Sequence, residues 1–403
     1  MKFNKSILIL LTIALAPASQ ADYYGIDATT GLAFDSNAYR APSQNYIDYF
    51  ADTTGNTLVI PDVQSGFFVP LDFSAFYDKK LNKKWRLIGE YDLDTRTYLD
   101  SDLSNADEQS HTGRLGTKYR IHNFNIRKST VYGGLLLKNR KRDYYDRDTG
   151  LKKTTGINED IVADKYNYSS QGFELNFDYW RKLKWDLKLG LTMEKRDYDL
   201  VATGSEYDND FTRFDLEYDY RLNRTFRLAF DYAYYSYDYD ERRARNLSGQ
   251  LFLGNPLLKY DYNISEIALK HRINQELLLI YAYERTSRKD SYLGYNDYDQ
   301  TALSAVLRYK ASDKMTFRAE LSVNERDYPN AWDYDRDPAR FAAINGTQHK
   351  SSDGVLFKTK LDYQLNKQLE LFAEIEYRDE NNTDGRYNYE RSIIMLGVQK
   401  EFF

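Results

Sequence analysis

The chain has 403 residues, no cysteine, a formal net charge of −5 and a mean hydropathy of −0.72. It has no thiol with which to make a disulfide, and so small a net charge gives no reason to expect a nucleic-acid partner. Its 38 tyrosines and 21 phenylalanines against 7 prolines mark a strand-rich chain held by backbone pairing and packing.

At the N-terminus, Lys2 and Lys5 precede a short apolar run from Ile7 to Leu15. Ser19-Gln20-Ala21 then puts small residues at the first and third positions, so a secretory signal is expected over 1–21, cleaved after Ala21. A membrane-anchoring helix is the alternative, but about nine apolar residues cannot span ~30 Å of hydrocarbon. No cysteine follows the cleavage site to carry a lipid. Residues 22–403 are then read as one barrel, with only a few residues between Asp22 and a first strand near Gly25 to Phe34.

From there the chain alternates with period two. Trp185, Leu187, Leu189, Leu191 and Met193 oppose Asp186, Lys188, Gly190, Thr192 and Glu194. Phe214, Leu216, Tyr218, Tyr220 and Leu222 oppose Arg213, Asp215, Glu217, Asp219 and Arg221. The same holds for Met315 to Asn324, and for Leu369 to Arg378 with Phe372 as the exception. Period two means strands with one apolar and one charged face. A soluble sandwich or propeller also alternates, but its strands have about 5–6 residues, whereas these segments run to about 12–16.

Short turns are expected at 81–84, 121–123, 182–184, 222–224, 273–275, 311–314 and 365–367. Longer connections fall near 38–63, 99–109, 145–167, 199–209, 242–256, 291–298, 329–350 and 381–387. This alternation is the signature of an outer-membrane barrel. Seven turns join fourteen strands, and one strand on either side brings the total to about sixteen. The fold class is therefore an all-β, antiparallel, up-and-down transmembrane barrel in the bacterial outer membrane. The C-terminal Glu401-Phe402-Phe403 resembles the signal read by the barrel-assembly machinery, except that Glu401 stands where that signal prefers an apolar residue.

No catalytic motif is evident. His111, His122, His271 and His349 are scattered, with no serine or aspartate beside them in a triad pattern. The acidic runs Asp333 to Asp337 and Asn296 to Asp299 lack the glycine and terminal glutamate of an EF-hand, so no metal or cofactor is expected. Arg142-Asp143-Tyr144, Arg196-Asp197-Tyr198 and Arg326-Asp327-Tyr328 recur near strand ends and read as an interface girdle, with Tyr at headgroup depth.

The charged faces should line a lumen: Arg86, Glu90 and Asp92; Asp215 and Glu217; Arg227 and Asp231; Arg318 and Glu320; Lys358, Glu374 and Glu376. A wall of mixed sign would hydrate a channel without strongly selecting one ion charge.

After the first strand, Asp35-Ser36-Asn37-Ala38-Tyr39-Arg40 carries the pattern Asp-x-Asn-x-Tyr-Arg. With the Arg-Asp-Tyr strand ends, it resembles the β-barrel porin 2 family of outer-membrane proteins. That resemblance implies passage of polysaccharide, as in exopolysaccharide or capsule export, with no catalytic residues. With only a few residues between Asp22 and the first strand, such an exporter is expected to need a separate periplasmic export protein as partner. Lipid and lipopolysaccharide would surround the barrel. A general or oligosaccharide-uptake porin, with the long first loop folded inward, is one alternative. A structural or adhesive barrel acting through its loops is another.

Overall fold

The computed structural model describes residues 23–48, 57–124, 126–153, 164–182, 184–199, 207–332 and 349–402. The expected signal at 1–21, the acidic run 333–337 and the terminal Phe403 lie outside the described residues.

The first strand, β1 (Tyr23–Asp35), is followed by a small hairpin, β2 (Tyr46–Asp48) and β3 (Thr57–Val59), within the first long loop. Then come β4 (Gly66–Lys80), β5 (Trp85–Tyr98), β6 (Glu108–Phe124) and β7 (Arg127–Arg142). The middle of the chain forms β8 (Tyr168–Arg181), β9 (Trp185–Tyr198), β10 (Asn209–Arg221) and β11 (Phe226–Arg243). It continues with β12 (Leu257–Arg272), β13 (Leu277–Asp290), β14 (Tyr298–Lys310) and β15 (Met315–Trp332). The last three are β16 (His349–Asn366), β17 (Leu369–Asn382) and β18 (Tyr389–Phe402).

Among the described residues, sixteen of these strands pair in chain order, all antiparallel, and β1 pairs with β18 to close the barrel. Closure satisfies every edge, which is the condition for a sheet to stand in hydrocarbon.

The short turns share one chemistry. In 81–84, 222–225 and 273–276 the second residue is asparagine, and its Oδ1 accepts from the backbone N–H groups two and three residues on. Ser312 accepts the first of these bonds at the fourth such turn. The side chain supplies an acceptor that water would otherwise provide, which fixes both turn and register.

Two expected turns move. β6 continues through Phe124, with its register slipping between Arg120 and His122, and β16 continues to Asn366, slipping between Gln364 and Asn366. In each case a one-residue bulge absorbs the residue read as the start of a turn.

The two faces divide as alternation predicts. Leu135 is 62% exposed, Leu303 58% and Leu396 65%, and Phe173, Leu175, Met193, Leu321 and Ile375 are exposed on the same outer side. Such a band is stable only against an apolar medium. Above it, on the long-loop side, the outer face turns polar, with pairs such as Arg285–Asp299 at 3.4 Å. Phe372, the break in the alternation, points inward and is 5% exposed, seated opposite Gly397. A Cβ at Gly397 would collide with its ring.

Candidate functional site

The interior wall is built from two chemistries. Through the middle of the barrel it is a lattice of ion pairs. Arg114 reaches Asp92 at 2.7 Å, Glu174 at 3.4 Å and Glu90 at 3.6 Å. Arg114, Glu174 and Glu90 line a cavity of about 570 Å³ together with Lys188, Arg213, Asp215 and Glu217. Lys188 meets Glu217 at 2.5 Å and Arg213 meets Asp215 at 2.7 Å.

A second cavity of about 540 Å³ is lined by Asp72, Asp94 and Arg96 from one side and Lys358, Glu374 and Glu376 from the other. Lys358 lies 2.8 Å from Glu374 and 3.9 Å from Glu376.

The remaining residues chosen from the sequence share this face. Arg86 pairs with Asp78 at 2.6 Å, Arg227 with Asp219 at 3.1 Å and Arg318 with Glu320 at 2.9 Å. Asp231 stands in register between Glu217 and Glu266. Half-exposed pairs of this kind contribute about 0–1 kcal/mol each, so their main effect is to keep the wall wet and locally neutral.

Toward the long-loop rim, from β8 to β15, the wall changes. Arg213, Tyr235, Tyr262, Arg288 and Tyr298 stand directly opposite one another on five successive strands. Tyr235 and Tyr262 stack at 4.5 Å, and Tyr298 meets Tyr328 of β15 at 5.4 Å. The Arg288 guanidinium lies 4.5 Å from the Tyr298 ring centre and 4.8 Å from that of Tyr260, and Arg326 lies 4.6 Å from Tyr298. At the β9 end Arg196 sits 3.8 Å from the Phe211 ring centre and 3.5 Å from Glu194.

This corrects the girdle reading of the Arg-Asp-Tyr repeats. Arg196 and Tyr198 share the face of Lys188 and Glu194, which is the interior, and only Asp197 faces out. Arg326 and Tyr328 lie on the inner face of β15 for the same reason. Counting by twos from the charged residues finds the row, because Phe211 shares parity with Asp215, and Tyr235 and Tyr237 share it with Asp231.

The motif Asp-x-Asn-x-Tyr-Arg ties the mouth together where the barrel closes. The Asp35 carboxylate, fully buried, accepts from Arg391 Nε of β18 at 2.9 Å, from the Tyr98 hydroxyl at 2.6 Å and from the Asn37 N–H at 3.0 Å. Asn37 Nδ2 donates to the carbonyls of Ala41 and Glu390. Arg40 takes a φ of 54°, turning the chain back over the wall. Tyr39 is buried against Leu103, Ala106 and Tyr145, and its hydroxyl donates to the Asp102 carbonyl at 2.6 Å. Burial and the nearby Tyr145 and Asp102 push this phenol up to about 12. Gly150 lies under the Tyr39 ring at a φ of 71°, where a Cβ would strike it. The described start of the first loop thus packs through Ala38 and Tyr39 against Phe68 and Tyr98.

Beside the arc, Lys165 stands 3.3 Å from the Tyr144 ring centre and 4.9 Å from that of Tyr166. Burial, with the charges of Lys153 and Arg242, pushes this amine down to about 8, while the ring faces act in the opposite sense.

The four histidines stay apart. His111 bonds the Tyr91 hydroxyl at 2.7 Å, His122 bonds Ser129 at 2.9 Å, His271 stacks on Phe226 and His349 on Trp332. Among the described residues no cluster has metal-ligand geometry.

No family model matches the chain, and no curated protein matches it. Solved structures that resemble it include OmpF of Salmonella typhi, in complex with daunomycin, at 12% identity and a TM-score of 0.48 over 95% of this chain and 99% of that one. OmpT of Vibrio cholerae follows at 10% identity and 0.45, over 94% and 97%. The Rh. blastica porin stands at 12% and 0.38, over 94% and 99%. The strand pairing of this chain itself makes it a closed sixteen-stranded barrel with a polar interior.

Proposed function

We propose that the chain is a non-enzymatic pore of the Gram-negative outer membrane, exported by its 1–21 signal, through which polysaccharide passes. The observation that carries this reading is the inner row of Tyr235, Tyr262 and Tyr298 interleaved with Arg213 and Arg288. Tyrosine rings offer flat apolar faces with a polar tip, which suits sugar rings sliding past in water. Sixteen strands leave room for an aqueous channel, and the outer apolar band suits the hydrocarbon of the membrane. The first-strand motif and its resemblance support polysaccharide over a small solute. Lipid, lipopolysaccharide, the barrel-assembly machinery and a periplasmic export protein are the partners this reading assigns.

A second reading, a diffusion porin for small solutes or oligosaccharides, draws on the wet ion lattice and on the start of the first loop packed against Phe68 and Tyr98. Planar bilayers separate the two. A polysaccharide pore should conduct with weak charge selectivity and be blocked by long glycans. A diffusion porin should conduct without block, and should conduct more after removal of residues 45–58. A protein that never conducts is neither.

A further inference from the structure

We infer that the Tyr–Arg arc on β10–β15 is a binding track for an acidic saccharide, one bearing carboxylates on its sugar rings. The inference deepens the pore reading and rests on it only for the word saccharide.

Through the middle of the interior wall Arg114, Lys188, Arg227, Lys270, Arg318 and Lys358 each sit against a carboxylate. Within the arc Arg213 still meets Asp215 at 2.7 Å, but the β13 and β15 arginines break that pattern. Among the described residues, neither Arg288 nor Arg326 has a carboxylate within ion-pair distance. Each is held by a neutral acceptor instead. Arg288 Nε donates to the Asn296 carbonyl at 2.7 Å, and Arg326 Nε donates to the Gln300 side-chain oxygen at 2.8 Å. Both guanidinium groups rest against the same Tyr298 ring, at 4.5 and 4.6 Å from its centre.

Neutral anchors aim a fork without cancelling its charge, and a guanidinium fork matches a carboxylate in shape and charge. The rings beside it match the apolar face of a sugar. Six strands at a spacing of about 4.8 Å give the row a length of about 24 Å, enough for several sugar units. A neutral glycan would use the rings and leave two desolvated cations without a partner. An acidic one uses both.

The test is calorimetric titration of the folded barrel in detergent with galacturonate oligomers and, separately, with maltose-series oligomers of equal length. Galacturonate should bind more tightly, with an advantage that shrinks as salt rises. Arg288→Gln and Arg326→Gln should each cost about tenfold in galacturonate affinity, the scale of one charge-assisted bond, and leave maltose-series binding unchanged. Tyr298→Leu should weaken both ligands. Arg285→Gln, on the outer face, should change neither, and heat-modifiable migration on gels establishes that each variant is folded.

Equal affinity for the two oligomers, no binding of either, or full galacturonate affinity in both arginine variants would overturn the inference. Bilayer conductance on the same preparations separates it from the pore reading. Conduction without galacturonate binding keeps the pore and removes the track. Binding without conduction keeps the track and removes the pore.

Discussion

The long-loop rim is closed by opposite means on its two sides. At the seam between β1 and β18, charge is buried and fully answered: Asp35 takes Arg391, Tyr98 and a backbone N–H at once. Across the barrel, on β13 and β15, the charges of Arg288 and Arg326 rest on the Tyr298 ring with neutral anchors. A buried, saturated ion pair has nothing left to offer a ligand and defines how the sheet closes. A guanidinium on a ring is only partly answered, so it can take a further partner. The contrast assigns closure to one side and recognition to the other.

The seam should break hardest. Asp35→Ala leaves the Arg391 guanidinium buried without its carboxylate, a change that costs about 3–5 kcal/mol. The expected result is a folded barrel that loses its gel shift at a markedly lower temperature, or none recovered from membranes. Unfolding in urea at the parental midpoint would mean that the seam does not depend on this pair.

Next comes the wall between the two sides. Leu189→Arg puts a charge into the apolar band at a cost of roughly 2–4 kcal/mol, whereas Lys188→Ala, one residue away on the wet face, should be nearly silent. Similar yields of the two assembled variants would show that the faces of β9 are reversed.

Gly397→Ala tests the inner seam wall at a milder level. Phe372 covers Gly397, and the added methyl should cost about 1–3 kcal/mol through overpacking. The companion change Phe372→Leu should recover part of that loss in the double variant. No recovery would place the strain elsewhere.

The smallest effect belongs to the arc side. Lys165, pushed down to about 8, binds fewer protons folded than unfolded between about pH 8 and its ordinary ~10.4, so its contribution to stability rises with pH across that window. Amine acylation followed against pH should show this lysine reacting with a midpoint below the rest. A midpoint with the other lysines would mean that the Tyr144 and Tyr166 faces hold the charge more strongly than burial removes it.

Much of this is legible in the sequence. Alternation placed Leu189 and Lys188 on opposite faces, because a period of two is dictated by backbone geometry alone, and the spacing of the short turns gave about sixteen strands. The lumen charges followed from the same parity. Two things did not. The tyrosines near strand ends were read by a statistical habit of membrane interfaces, although parity with Glu194 already put Tyr198 inside. The extra residues at Ile121 and Leu365 were invisible because a bulge carries no composition of its own. The pairing of Asp35 with Arg391 joins positions 356 residues apart, and no local pattern announces it.

The repeated asparagine turn has a consequence for how such a chain can change. Each hairpin closed by Asn82, Asn223 or Asn274 carries its own register in a few residues and needs nothing from its neighbours to set it. A gene that duplicated or dropped one such unit would alter the circumference by two strands and keep every other side chain on its face. The width of the bore is then open to evolution in discrete steps, while the chemistry of its wall is edited one residue at a time.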